Sequence, residues 1–141
     1  MKAKDYLRQL QKLDKLIENK MAEKRRWQEI ALGRGSSFST DDRVQTSSSQ
    51  QKMADAVCKY IGIEAEIDHY IDKLVDARRE VIATIELLDV MEYDLLHKVY
   101  VQYMTLNEAA EAMDRRSYSW ATTVHGRALQ HVQKIIDGRD M

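Results

Sequence analysis

Four cations, Arg115, Arg116, Arg127 and Lys134, fall in a stretch from Arg115 to Ile136 that contains no Asp or Glu. Interleaved with them are the hydroxyl side chains of Ser117, Tyr118, Ser119, Thr122 and Thr123. Guanidinium and ammonium groups bind phosphate oxygens, arginine pairs bidentately with guanine, and Ser and Thr hydroxyls reach phosphates or base edges. This combination fits contact with nucleic acid. The net charge of −1 argues against that only as a total, because the charge is unevenly spread. Residues 1–32 hold nine Lys/Arg against five Asp/Glu, and residues 53–90 hold four against nine. The acid-free island near the C-terminus is the part suited to phosphate.

Other reactive side chains do not assemble a second chemistry. Cys58 and His69 are eleven positions apart. On a helix they share a face but sit about 16 Å apart, beyond hydrogen-bond reach. His125 and His131 are six apart and point to different sides, with no carboxylate cluster beside them, so no metal site is expected. Asp68, Asp72 and Asp76 form a ridge that could collect a divalent cation, but a basic ridge on an earlier helix is their simpler counterpart. The chain carries no phosphate-binding glycine loop and no nucleophile motif. With Cys58 as its single cysteine it can build neither a disulfide framework nor a zinc site of several thiolates. Neither an enzyme nor a cofactor is expected.

Long helices must position the basic island. In 141 residues there is no proline, with five glycines and 32% charged residues, a composition without the breaks that sheet folds need. Apolar residues make up 44% at a mean hydropathy of −0.55, so the core is expected as stripes on amphipathic helices. Tyr6, Leu10, Leu13 and Ile17, widened by Leu7, Leu16 and Met21, predict a helix over about 4–32. Gly33-Arg34-Gly35 stops it, and a polar loop over 33–52, with only Phe38 and Val44 to bury, is expected to be mobile. Met53, Val57, Tyr60, Ile67, Ile71, Leu74, Val81, Ile85 and Leu88 then hold a heptad seam interrupted by Glu64 and Arg78.

A helix of that length, roughly 55 Å, has to pack along a partner. Folded antiparallel on the first helix with residue numbers summing to about 84, the stripes align as Leu10 with Leu74, Leu13 with Ile71 and Ile17 with Ile67. The same offset sets Lys4 against Glu80, Arg8 against Asp76, Lys12 against Asp72 and Lys20 against Glu64. Each exposed pair contributes up to about 1 kcal/mol. Charges interrupt every apolar cluster of the N-terminus, so neither a signal peptide nor a membrane span is expected, and a reducing cytoplasm is the expected compartment.

Beyond Asp89 the pattern shortens. Tyr93, Leu96, Val99, Tyr100 and Tyr103 predict one amphipathic helix of about three turns. Thr105-Leu106-Asn107-Glu108 is a capping box that restarts a helix at Leu106, with Leu106, Ala109, Ala110 and Met113 on its buried side. Asp114-Arg115-Arg116 reads as a turn and Ser117 as the next N-cap. Trp120, Val124, Ala128, Val132 and Ile135 or Ile136 form the inward face of a last helix. Two helices meeting at small residues, the second with a basic outer face, meet the requirements of a helix-turn-helix. Tyr118, Ser119, Thr122, Thr123, Gly126 and Arg127 point away from its core.

Tyr93-Asp94-Leu95-Leu96, Leu106-Asn107-Glu108-Ala109-Ala110 and the stretch from Ser117 to Ala128 resemble the fourth conserved region of bacterial sigma factors, over about 45 residues. That resemblance implies binding to promoter −35 elements. The whole chain, including Asp42 to Ser47, Lys52-Met53-Ala54-Asp55 and His125-Gly126-Arg127-Ala128-Leu129, resembles small phage proteins related to late-gene regulators of the RinA and ArpU type. It departs from the sigma pattern in the turn, where Asp114-Arg115-Arg116-Ser117 is one residue longer and lacks glycine, and in carrying Val124 and His125 mid-helix.

The expected protein is therefore all-α: a long, coiled-coil-like antiparallel hairpin over 1–90 with its polar loop, then a helix-turn-helix of sigma region 4 type over 91–141. Its expected function is transcriptional regulation in a phage or prophage through double-stranded DNA. Arg115, Arg116, Arg127 and Lys134 would meet phosphates, and Ser117, Tyr118, Ser119, Thr122 and Thr123 would lie near base edges. Helices 1–32 and 53–89 would mediate self-association or contact with host RNA polymerase. A DNA-packaging protein like a terminase small subunit, and a coiled-coil scaffold that binds no nucleic acid, are the alternatives.

Overall fold

A computed structural model describes residues 1–33, 47–114 and 117–140 of the chain. Among them the protein is all-helical and has no strand. Five α-helices follow in order: α1 (Ala3–Ala31), α2 (Ser47–Ile85), α3 (Val90–Leu96), α4 (Leu106–Ala112) and α5 (Tyr118–Arg139). With no proline to remove a backbone donor, α1 and α2 run unbroken for 29 and 39 residues. Gly33 ends the first at φ 77°, a left-handed conformation that glycine adopts without steric cost. α2 starts at Ser47, so the loop predicted to extend to residue 52 gives way earlier to helix. Gln51 Nε2 donates to Asp55 Oδ1 at 3.0 Å, an i,i+4 bond that supports these polar first turns. The rest of that predicted loop, 34–46, lies outside the described residues. Among the described residues no helix is long and apolar enough to cross a membrane.

The contacts divide the chain into two compact units. One comprises residues 15–72, and its described residues belong almost wholly to α1 and α2. Ile17, Ala56, Ile63 and Ile67 are buried in it. Lys20 Nζ meets Glu66 Oε2 at 2.9 Å and Lys24 Nζ meets Glu64 Oε1 at 3.2 Å, so the two helices run in opposite directions. Glu66 holds the Lys20 ammonium above its ordinary value, first through this hydrogen bond. Lys24 thus takes the Glu64 that the sequence offset assigned to Lys20. Among the described residues the expected Lys4–Glu80, Arg8–Asp76 and Lys12–Asp72 ion pairs do not form, and Glu80 instead lies 4.0 Å from Arg139 Nη1. Positions i and i+4 share a helix face, so a shift of roughly one turn matches the apolar and charged stripes nearly as well. Leu16, Met21 and Ile71, expected in the stripes, remain exposed by more than a third.

The second unit comprises residues 1–14 and 73–141. Its main core joins Ala3, Tyr6, Leu7 and Leu10 of α1 and Ala77, Val81 and Ile85 of α2 to Leu96, Tyr100, Val101, Ala128, Val132 and Ile136. This core therefore spans residue 90, where the sequence suggested a division. Thr84 is fully buried and donates its hydroxyl to the Glu80 carbonyl at 2.9 Å, which leaves Tyr6 to donate to Thr84 at 3.0 Å. Arg139 donates in turn to the Tyr6 oxygen at 3.3 Å.

α3 does not continue through Tyr103 as the periodicity predicts. It passes into a π-helical turn over His97–Val101, closed by Gln102 N–H donating to the His97 carbonyl at 3.0 Å. Tyr103 follows at φ 62°, left-handed and costing about 1–2 kcal/mol for a residue with a Cβ. Its hydroxyl donates to Asp14, which helps to offset that cost. Burial first, and then this bond, push the Tyr103 phenol well above its ordinary range.

A smaller cluster in the same unit contains Leu95, Ala109, Ala110, Met113, Ala121 and Val124, with Leu106 and Trp120 packed against it.

Candidate functional site

The acid-free island sits on α5, and α4 is the element that orients its start. Ala109 and Ala110 of α4 and Ala121 of α5 are all fully buried, and side chains this small let two helices approach closely. The capping box fixes where α4 begins: Glu108 N–H donates to Thr105 Oγ1 at 3.1 Å, and Thr105 N–H donates to Glu108 Oε1 at 2.9 Å. The Thr105 amide, and then the Thr105 hydroxyl, hold the Glu108 carboxyl below its ordinary value. α4 closes at Met113, and Asp114 turns the chain at φ 68°. Ser117 then caps α5, accepting from Trp120 N–H at 3.0 Å. Val124, Ala128, Val132 and Ile136 form the buried face of α5, which settles the choice between Ile135 and Ile136.

On the opposite face Ser119, Thr122, Thr123, Gly126 and Arg127 are exposed, as are Ser117, Tyr118 and Lys134. The Thr122 and Thr123 hydroxyls donate back to the carbonyls of Tyr118 and Ser119, at 2.9 and 3.1 Å. With their protons committed they offer acceptor lone pairs and methyl groups outward. That suits the amino groups and thymine methyls of base edges better than phosphate oxygens, which only accept. A Cβ built on Gly126 meets nothing within 4 Å. Ser117 spends its hydroxyl oxygen on the cap. Arg115 and Arg116 lie outside the described residues.

Thr122 and Arg127 are both exposed but stand about 140° apart around the helix, at the two margins of the polar strip. Arg127 is not an independent surface cation. Its Nε donates to Glu92 Oε2 at 2.8 Å, while the arginine side chain is 50% and the glutamate 1% exposed. His131 Nδ1 lies 2.8 Å from the other oxygen, Glu92 Oε1. A buried carboxylate beside a guanidinium accepts from both neighbours, which places the proton of that imidazole on Nδ1. Glu92 thus clamps α3 to one ridge of α5, while half of the Arg127 side chain stays exposed.

On the other margin His125 stacks on Tyr100, with centroids 5.7 Å apart, and its Nε2 lies 2.7 Å from the phenol oxygen. Burial, and after it the charges of Lys4 and Arg8, hold His125 below its ordinary value. Burial pushes the Tyr100 phenol up.

Sequence reasoning missed Glu92, Lys4 and Arg8 as neighbours of α5. Glu92 left a signal: it precedes Leu95, Leu96 and Val99 by three, four and seven positions, an acid on an apolar stripe. Its partners 35 and 39 residues away left none. Among the described residues no three His, Cys, Asp or Glu side chains gather as a metal ion would require. No family model matches the chain, and no curated protein or solved structure is significantly similar to it.

Proposed function

We propose that this chain is a DNA-binding transcriptional regulator, with α4 and α5 acting as a helix-turn-helix of sigma region 4 type. The observation that carries this reading is the outward strip of α5. It presents Ser119, Thr122, Thr123 and Gly126 with no acid before Asp137, on a helix whose start is braced against α4 by three buried alanines. A smooth, hydroxyl-bearing surface of this kind suits a major groove, where base edges demand close approach. Arg127 and Lys134 supply phosphate contacts from one margin, and Arg115 and Arg116, outside the described residues, supply others. In this reading α1 and α2 form an antiparallel hairpin that contacts a second copy of the chain or host RNA polymerase. The resemblance to phage late-gene regulators supplies the phage setting.

Fluorescence anisotropy of the full chain with a labelled mixed-sequence duplex at low salt tests the reading. Binding should be detectable and should weaken as salt rises, because counterions compete for phosphates. Replacing Arg115 and Arg116 together with Ala should weaken it further. Absence of binding, or an affinity indifferent to both arginines, would leave the coiled-coil scaffold as the better account.

A further inference from the structure

We infer that the first two turns of α1 form the second half of the DNA surface, with Lys4 and Arg8 holding the phosphate backbone on the margin of α5 opposite Arg127 and Lys134. This rests on the DNA-binding reading above and names the residues that complete it. α1 reaches α5 through defined contacts. Ala3 N–H donates to Gln133 Oε1 at 2.7 Å, Gln133 Nε2 donates to the Met1 carbonyl at 3.1 Å, and Arg139 Nη1 donates to the Tyr6 hydroxyl at 3.3 Å. Beneath these bonds Ala3, Tyr6 and Leu7 are buried in one cluster with Ala128, Val132 and Ile136. With that face of α1 turned inward, Lys4 and Arg8 form an i,i+4 ridge on the same helix, and both are exposed.

Their side follows from where α1 docks: Gln133, which holds Ala3, stands about 20° from Thr122 and about 120° from Arg127 around α5. The charges of Lys4 and Arg8, which disfavour protonation of His125, agree with that side. His125 lies one turn from Thr122, at the margin of the outward strip. The strip therefore runs between Lys4 and Arg8 on one side and, on the other, Lys134 with Arg127, whose charge Glu92 partly offsets. Between them, Tyr118 to Ile136 contributes no acid. A neutral strip with positive borders complements a duplex groove, whose floor is uncharged base edges and whose walls are two phosphate strands.

The salt dependence of duplex binding by the full chain separates this inference from the reading beneath it. For Lys4→Ala/Arg8→Ala the slope of log affinity against log salt should fall by about two, one for each phosphate that the chain no longer neutralises. The charge-keeping variant Lys4→Arg/Arg8→Lys should retain the slope. Lys52→Ala/Lys59→Ala, which removes the same charge from the other unit, should also leave it unchanged. Should Arg115→Ala/Arg116→Ala weaken binding while Lys4→Ala/Arg8→Ala changes nothing, α1 is no part of the surface and the DNA reading survives. An equal loss in the Lys52/Lys59 variant reduces the effect to net charge and overturns the inference. No binding by the unaltered chain removes both.

Discussion

A carboxylate with almost no exposure to water must be held by donors, and Glu92 has two of them on α5, Arg127 and His131. The two sides of this clamp are not equivalent, because Arg127 is half exposed and can return to water whereas Glu92 cannot. Arg127→Ala strands the buried charge and should cost about 3 kcal/mol, the lower end of what breaking a buried pair does. Glu92→Gln leaves a guanidinium and an imidazole that are both partly exposed and can return to water, and should cost about 1 kcal/mol. Urea denaturation of both variants and of the double variant checks the order, and the double variant should be more stable than Arg127→Ala alone. Equal losses would mean that the carboxylate finds other partners. The sequence marked Arg127 as a phosphate contact but did not pair it, because nothing local in a chain identifies a partner 35 residues away.

Two imidazoles give the protein a pH dependence at the same scale. His125 and His97 are both held below the ordinary value of 6.5, in each case first by burial. Lys4 and Arg8 add to the effect at His125, and Arg78 and Lys98 add to it at His97. Unfolding releases both groups to protonate at their ordinary value, so below it the unfolded chain binds more protons than the folded one. Stability from this source is complete above 6.5 and is lost as pH falls through it. Melting temperature should decline from about pH 7.5 to about pH 5.5. His125→Gln, which keeps a hydrogen-bonding group beside Tyr100, should flatten part of that decline.

Among elements, what depends on neighbouring residues was legible and what depends on distant ones was not. The Thr105–Glu108 box, the Ser117 cap and the buried faces of α4 and α5 all stand where their sequence signals put them. Each is decided within about one helical turn. The π-helical turn at His97–Val101 and the one-turn slide between α1 and α2 depend on contacts from elsewhere in the fold, and the pattern is nearly blind to both. Gly126 gives an element-scale test. It occupies an exposed helix interior where a Cβ has open space, so its flexibility costs stability that no internal contact requires. Gly126→Ala should therefore stabilise α5 by about 0.5–1 kcal/mol and raise the melting temperature by about 2–4 °C. In the opposite sense, Ser117→Ala should cost about 1 kcal/mol by freeing the Trp120 amide. A stabilised Gly126→Ala protein with weakened duplex binding would show that the glycine serves the outer surface and not the fold.

For the whole molecule, the decisive fact is which residues share a core. The sequence separates a helical region over 1–90 from a terminal region over 91–141, because heptads give way to short helices near Asp89. In the structure Ala128, Val132 and Ile136 are buried with Leu7 and Leu10 of α1 and Val81 and Ile85 of α2. Sequence periodicity shows that each helix has an apolar face but not which face meets which, so this assembly was not legible. It has a direct consequence for a fragment of residues 91–141. Cut from its partners, α5 keeps the small cluster around Leu95, Ala110 and Val124 and its contacts with Leu96, Tyr100 and Val101, but exposes the apolar face that α1 and α2 cover. Each large side chain removed from that cover forfeits about 1.5–3 kcal/mol, several times over, against a typical total stability of about 5–15 kcal/mol. The fragment should therefore show weak helical circular dichroism and no cooperative melting transition, whereas the full chain melts cooperatively. Within the full chain, Leu10→Ala should cost about 2–5 kcal/mol. It should also speed amide exchange along the second half of α5, at the far end of the sequence. A fragment that folds and melts cooperatively by itself would show that the smaller cluster suffices, and that the N-terminal helices cover α5 without being needed to form it.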